Sequence, residues 1–214
     1  MDDRSVVVED GARSLRDLFP HDRVVFFCDA VFAITITLLA IELKLPGHAG
    51  AGHGEGDTSA AFVSYFISFV VTGVFWLGHM QTWRHVRQVN AGLVWASLLQ
   101  LMFVALMPLA TREYSAYFSG NSPERFAFYA LVLAGISLFA LVSRWLVIRQ
   151  ENLRERIGVV ATRWLLWRGL VPLVVFVLAI PLAFVLPVWC GGVIFFMVFP
   201  CLALARRLIQ RAPG

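Results

Sequence analysis

The sequence is short of charge. Only 15% of its 214 residues are Asp, Glu, Lys or Arg, against about 25% in soluble domains. Hydrophobic residues make up 59%, and mean hydropathy is +0.74. This balance excludes an ordinary soluble domain and indicates an all-α integral membrane protein. Cysteine is scarce as well. Cys28, Cys190 and Cys201 all lie in apolar runs, with no CxxC and no Cys/His cluster, so neither a disulfide framework nor a zinc site is expected. GxSxG, HExxH, Walker A and GxGxxG are all missing, and no enzyme activity, cofactor or resident metal is expected. An intramembrane protease needs paired aspartates or a Ser/His pair at depth, whereas Asp29 stands alone. No apolar core follows a basic start in the first twenty residues, so no secretory signal is expected there. Residues 1–21 read as a cytosolic tail, with a short helix from Val8 to Leu18.

What the chain does have is long apolar runs. Six reach membrane-spanning length, about 20 residues across a core of about 30 Å: Asp22–Leu45, Ser59–Met80, Ala91–Ala110, Phe126–Ile148, Trp164–Val185 and Val188–Ala205. The expected organisation is a six-helix transmembrane domain over residues 22–207 and a cytosolic tail over 208–214. Arginine placement sets the orientation. Arg4, Arg13, Arg16, Arg23, Arg84, Arg87, Arg144, Arg149, Arg154, Arg156, Arg163, Arg168, Arg206, Arg207 and Arg211 fall on one side, and Lys44, Arg112 and Arg125 on the other. Fifteen against three places both termini in the cytosol. It also accounts for the net charge of +4 without a nucleic-acid partner. The Gly-rich outer loop Gly47–Thr58 contains His48 and His53, read as solvated rather than metal-binding. A turn at Gly120–Pro123 and a partly helical connector over Arg149–Arg163 are expected.

The first run, Asp22–Pro46, carries Arg23, Asp29 and Glu42 within or beside its apolar residues. Such groups cost roughly 2.5–3.5 kcal/mol each at mid-membrane, which makes them functional candidates. On a wheel of about 100° per residue, Ile34, Leu38 and Ile41 fall within about 60° of arc, with Thr37 beside them and Phe27 and Arg23 on the same side. Asp29 points about 140° away from Ile34, towards other helices. Arg23 and Asp29 are six apart, poor spacing for an in-helix ion pair, so each needs a partner elsewhere. Trp76, His79 and Trp83 recur at helical spacing in the second run. Arg23, Asp29 and His79 all fall in the inner half of the membrane, where one polar network can satisfy them. In the third run Ser97 and Gln100 suit hydrogen bonds between helices, and Pro108 should kink the outer end.

These residues carry a resemblance. Arg23-x-x-x-Phe27-Cys28-Asp29 followed by Ala33-Ile34-x-x-Thr37-Leu38-Leu39-x-x-Glu42 resembles the RxxxFSD signature of the transmembrane protein 175 family of potassium channels. Asn90-x-x-Leu93-x-Trp95-x-Ser97-Leu98 with Leu106-x-Pro108 is similar to that family's asparagine, WLNL and LLP pattern, and Trp76-x-x-His79 matches a further feature. Cys28 replaces the motif serine with a poorer hydrogen-bond donor, and Ser97 stands at an expected asparagine.

The resemblance implies a homotetrameric, potassium-selective channel of the cytoplasmic membrane, without a carbonyl filter loop, its pore lined by the first helix of each subunit. Ile34, Leu38 and Ile41 would form the constriction, with Thr37 as the polar group beside it. Arg23, Phe27, Cys28, Asp29, Trp76 and His79 would form the polar network that holds the pore helix. The bilayer and further copies of the chain are the implied partners, and potassium, with protons in some members, is the permeant ion. The alternative is a proton-coupled secondary transporter or proton-permeable channel in which Asp29 and His79 titrate. A non-transporting scaffold locked by the same residues is a third reading.

Overall fold

A computed structural model describes residues 20–43, 55–120, 122–185, 197–198, 200–204 and 206–207. These form α1 (His21–Ile41), α2 (Glu55–Trp83), α3 (Ala91–Ala105), α4 (Met107–Gly120), α5 (Pro123–Gln150), α6 (Leu153–Ile157) and α7 (Val159–Leu182), with helical residues also at 200–204. Among the described residues five spans are long and apolar enough to cross a membrane: His21–Ile41, Ala60–Trp83, Ala91–Ala116, Pro123–Gln150 and Val159–Leu182. The expected sixth, Val188–Ala205, lies largely outside the described residues, as do the tail over 1–19, the tail over 208–214, His48, His53 and Cys190.

Local chemistry sets the helix ends. Asn90 caps α3 by accepting a 2.7 Å hydrogen bond from the Leu93 amide, satisfying one orphan donor of the first turn. Pro123 opens α5, where its missing N–H costs nothing, while Glu124 and Arg149 complement the two ends of the helix dipole. The third span breaks at Leu106, two residues before Pro108. Proline has no N–H to continue the ladder, and the Leu106 amide turns to Phe103 O at 3.1 Å, a tighter i to i−3 bond. The expected connector after Arg149 contains the single turn α6, entered through Asn152 (φ 46°) and left through Gly158 (φ 85°). The left-handed backbone at Gly158 suits a residue without a Cβ.

α5 is the central helix. It packs most extensively on α7 and α3, then on α4 and α2, and is the most buried of the five spans. α1 packs on α2, α3 and α4 at one edge of this arrangement. The main core joins Cys28, Phe32 and Leu39 of α1 to Val104, Tyr114, Tyr129 and Phe176. A second core, at the arginine-rich end, gathers Trp83, Leu93, Val147, Leu153 and Leu165.

The α3–α5 contact depends on Gly135, whose missing Cβ leaves the space that the Phe103 ring occupies. In a close-packed interior an added methyl group there must displace the ring. Gly135→Ala should therefore lower stability by about 1–3 kcal/mol, read as a fall in the thermal midpoint in detergent. Adding Phe103→Leu should recover part of that loss; full additivity of the two changes would refute the contact.

Candidate functional site

α1 shows two faces. Cys28, Phe32, Thr35 and Leu39, at helical spacing, are buried against the rest of the chain. On the other side Phe27, Ile34, Leu38 and Ile41 are 53%, 57%, 41% and 73% exposed, and Arg23 and Thr37 are exposed beside them. The row singled out on the helical wheel is therefore the unpartnered face of the helix within one chain. None of its apolar side chains belongs to either buried core, although Phe27 borders a groove shared with Leu98 and Leu101 of α3.

Thr37 is the polar group in that row. Its hydroxyl donates to Ile34 O at 2.8 Å within the helix. The proton is thus committed to the backbone, and the oxygen lone pairs remain available on the exposed side.

Two polar pairs sit behind the row. The Trp76 indole donates to Asp29 Oδ1 at 2.8 Å, joining α2 to α1 through a half-buried carboxylate. His79 is buried, with Nδ1 3.3 Å from Gln100 Oε1 on α3 and its ring packed on Phe32 and Trp83 at 5.7 and 5.8 Å. Of the residues expected to form one network, Asp29 and Trp76 are hydrogen-bonded to each other, and His79 to Gln100. Arg23 and Phe27 lie on the exposed side, and among the described residues Arg23 makes no ion pair with Asp29. The six-residue offset turns the two charges in different directions. Cys28 is buried and lines, with Arg23, Ser97 and Leu101, a groove of about 270 Å³ between α1 and α3. Ser97 Oγ has no partner among the described residues.

The sequence suits Gln100 to a hydrogen bond between helices without naming its partner; the pairing with His79 needs the relative rotation of α2 and α3, which no single sequence provides. Among the described residues no group of His, Cys, Asp and Glu could hold a metal ion.

This one-sided α1 lies within a recognisable sequence unit. Residues 23–108, spanning α1 through the start of α4, match the family model described as endosomal/lysosomal potassium channel TMEM175. The chain belongs to the TMEM175 family. It is 34% identical over 136 residues to a potassium channel of Streptomyces collinus, an alignment covering 61% of this chain and 66% of that protein. Against the bovine endosomal/lysosomal proton channel TMEM175 it is 29% identical over 157 residues, covering 65% of this chain and 32% of the other. The chain thus spans about two thirds of the bacterial relative and a third of the vertebrate one. In fold it resembles the crystal structure of a lysosomal potassium-selective channel TMEM175 homolog from Chamaesiphon minutus, with a TM-score of 0.67 at 22% identity, over 86% of this chain and 97% of that one. TMEM175-type architecture therefore extends beyond the three helices that the family model matches, into α5 and α7, where the sequence motifs give out.

The Trp76–Asp29 bond ties α2 directly to α1 through a charged side chain. Hydrogen bonds to charged groups contribute about 1.5–3 kcal/mol, so Trp76→Phe should lower stability by an amount in that range, read as a fall in the thermal midpoint. A double-mutant cycle with Asp29→Asn should show clear coupling; independent effects would remove the pair from this role.

Proposed function

We propose that the protein is a subunit of a potassium-selective channel in which α1 lines the pore and Ile34, Leu38 and Ile41 form a hydrophobic constriction. The observation that carries this reading is the exposed apolar face of α1, opposite a face buried through Cys28, Phe32, Thr35 and Leu39. One such helix per chain cannot enclose a pore, so several copies must surround an axis. We take the assembly as a homotetramer, in keeping with the family resemblance, with residues 22–207 as a six-helix channel domain. The arginine distribution supports cytosolic termini in the cytoplasmic membrane.

A ring of Ile34 side chains narrow enough to exclude water would act as a gate by dewetting. Cation preference then falls to pore width and to Thr37, whose oxygen faces away from the packed side with its proton already donated to Ile34 O. Four such acceptors around an axis would favour a partly dehydrated cation over an anion. Asp29 and His79 are turned to the packed side, Asp29 bonded to Trp76 and His79 to Gln100 through Nδ1, with His79 Nε2 unpartnered among the described residues. We therefore read them as holding α1 in rotation rather than as proton carriers.

In liposomes with a potassium gradient, the protein should pass potassium, and Ile34→Asn should raise the leak about tenfold or more, the change expected when about 1.4 kcal/mol is removed from a barrier. Absence of flux above empty liposomes would overturn the channel reading. Thr37→Val removes the oxygen while keeping the shape, and in single-channel recording with asymmetric potassium and sodium it should reduce potassium preference without changing oligomer size. Unaltered selectivity would take Thr37 out of the permeation path.

A further inference from the structure

A cavity of about 200 Å³ lies among α2, α5, α7 and the helical residues near 198–202, away from α1. Phe66, Val70 and Val74 form an apolar wall along α2, and Arg144 and Arg168 stand in its lining. Those three apolar side chains, one helical turn apart, are 66%, 41% and 52% exposed, so the cavity is continuous with the outer surface of the bundle.

Arg144 is only 8% exposed. It sits six residues inside the Gln150 end of α5, about 9 Å along the axis at about 1.5 Å per residue. Its Nε has no hydrogen-bond partner among the described residues, and no described salt bridge includes it. The neighbouring walls supply no counter-charge. From Arg156 to the C-terminus the chain has no Asp or Glu, and the acids of α2 and α5, Glu55, Asp57 and Glu124, belong to the opposite ends of those helices. Space is nonetheless kept for the guanidinium. A Cβ at Gly78 would stand 2.8 Å from its Nη2, and one at Gly169 2.7 Å from its Nη1. Arg168 is directed by a hydrogen bond to Gln81 Oε1.

A buried guanidinium without a partner is strongly unfavourable, and an arginine within a span marks a site whose partner has to be found. Here the missing partner is an anion, and the surface leading to it is hydrocarbon. We propose that this cavity binds an anionic phospholipid of the leaflet on the arginine-rich side. Its phosphate accepts from Arg144 and Arg168, and an acyl chain lies along Phe66, Val70 and Val74. The planar guanidinium fork matches phosphate oxygens, and basic pockets between membrane helices are suited to such headgroups. A free anion would leave the apolar wall unused. The site is separate from the α1 row and does not depend on the channel reading.

The test uses the full-length protein, delipidated and placed in nanodiscs of phosphatidylcholine with or without phosphatidylglycerol. Bound lipid is read by native mass spectrometry and stability by thermal midpoint. The wild-type protein should retain phosphatidylglycerol preferentially and melt higher in its presence. Arg144→Gln and, separately, Arg168→Gln should reduce that retention about tenfold or more, the scale of losing one charged hydrogen bond. Val70→Trp, which obstructs the apolar wall and leaves both arginines, should weaken retention too. In pure phosphatidylcholine Arg144→Gln should melt no lower than wild type, because the change removes an unpaired charge. Retention unchanged in both arginine variants would overturn the proposal. An equal stabilisation by inorganic phosphate would overturn it in favour of a free-anion site. Loss of oligomer in Arg144→Gln with retention unchanged would overturn it in favour of a contact between subunits.

Discussion

The hydrogen bond from the Trp76 indole to Asp29 is the contact on which the rotation of α1 depends. A helix in hydrocarbon satisfies its own backbone, and lipid tails are as apolar as leucine, so apolar side chains alone exert little force on which face points inward. A carboxylate changes that. Asp29 has a strong preference for a donor over lipid, and Trp76 on α2 offers one at 2.8 Å. Fixing Asp29 on the packed side brings Cys28, Phe32, Thr35 and Leu39 into the core and leaves Ile34, Leu38 and Ile41 outside it. The polar residue therefore aims the apolar row, without joining it. His79 and Gln100 support the same arrangement beside it, where Phe32 packs on the imidazole.

Much of this was legible because helical periodicity survives in a single sequence. Asp22–Leu45 became His21–Ile41, and Ala91–Ala110 became a span broken at Leu106, as a proline at 108 requires. That Ile34, Leu38 and Ile41 share one face of α1 follows from spacing alone; that this face is the exposed one does not. Pairing between helices does not. Arg23, Asp29 and His79 share a depth, and depth suggested one network; the structure instead pairs Asp29 with Trp76 and His79 with Gln100. Depth along a helix can be counted from its ends, but rotation and neighbour choice are set by packing across the bundle.

The burial of Arg144 is hidden in the sequence for a related reason. Counted with Arg149, Arg154 and Arg156, it is one of a block of orientation charges at the end of a span. Its neighbours in that block are exposed, with Arg149 lying over the Trp145 ring at 4.2 Å, whereas Arg144 is buried. The signal was present in the sequence as position: six residues inside the end of α5 is too deep for an ordinary loop charge. Gly78 and Gly169 are the complementary signal, but they become informative only when folding brings both against one guanidinium.

Asp29 and Arg144 set the same physical requirement with opposite outcomes. Asp29 finds its donor within the chain, and the result is a fixed helix. Arg144 finds no acceptor among the described residues, yet two helices give up a side chain each to make room for it. Replacing the arginine by an apolar residue would relieve an unpaired buried charge more simply than opening space around it. Space kept for a charge that the chain does not neutralise is best explained by a counter-charge brought from outside, and at that depth beside an apolar wall the bilayer itself is the nearest source.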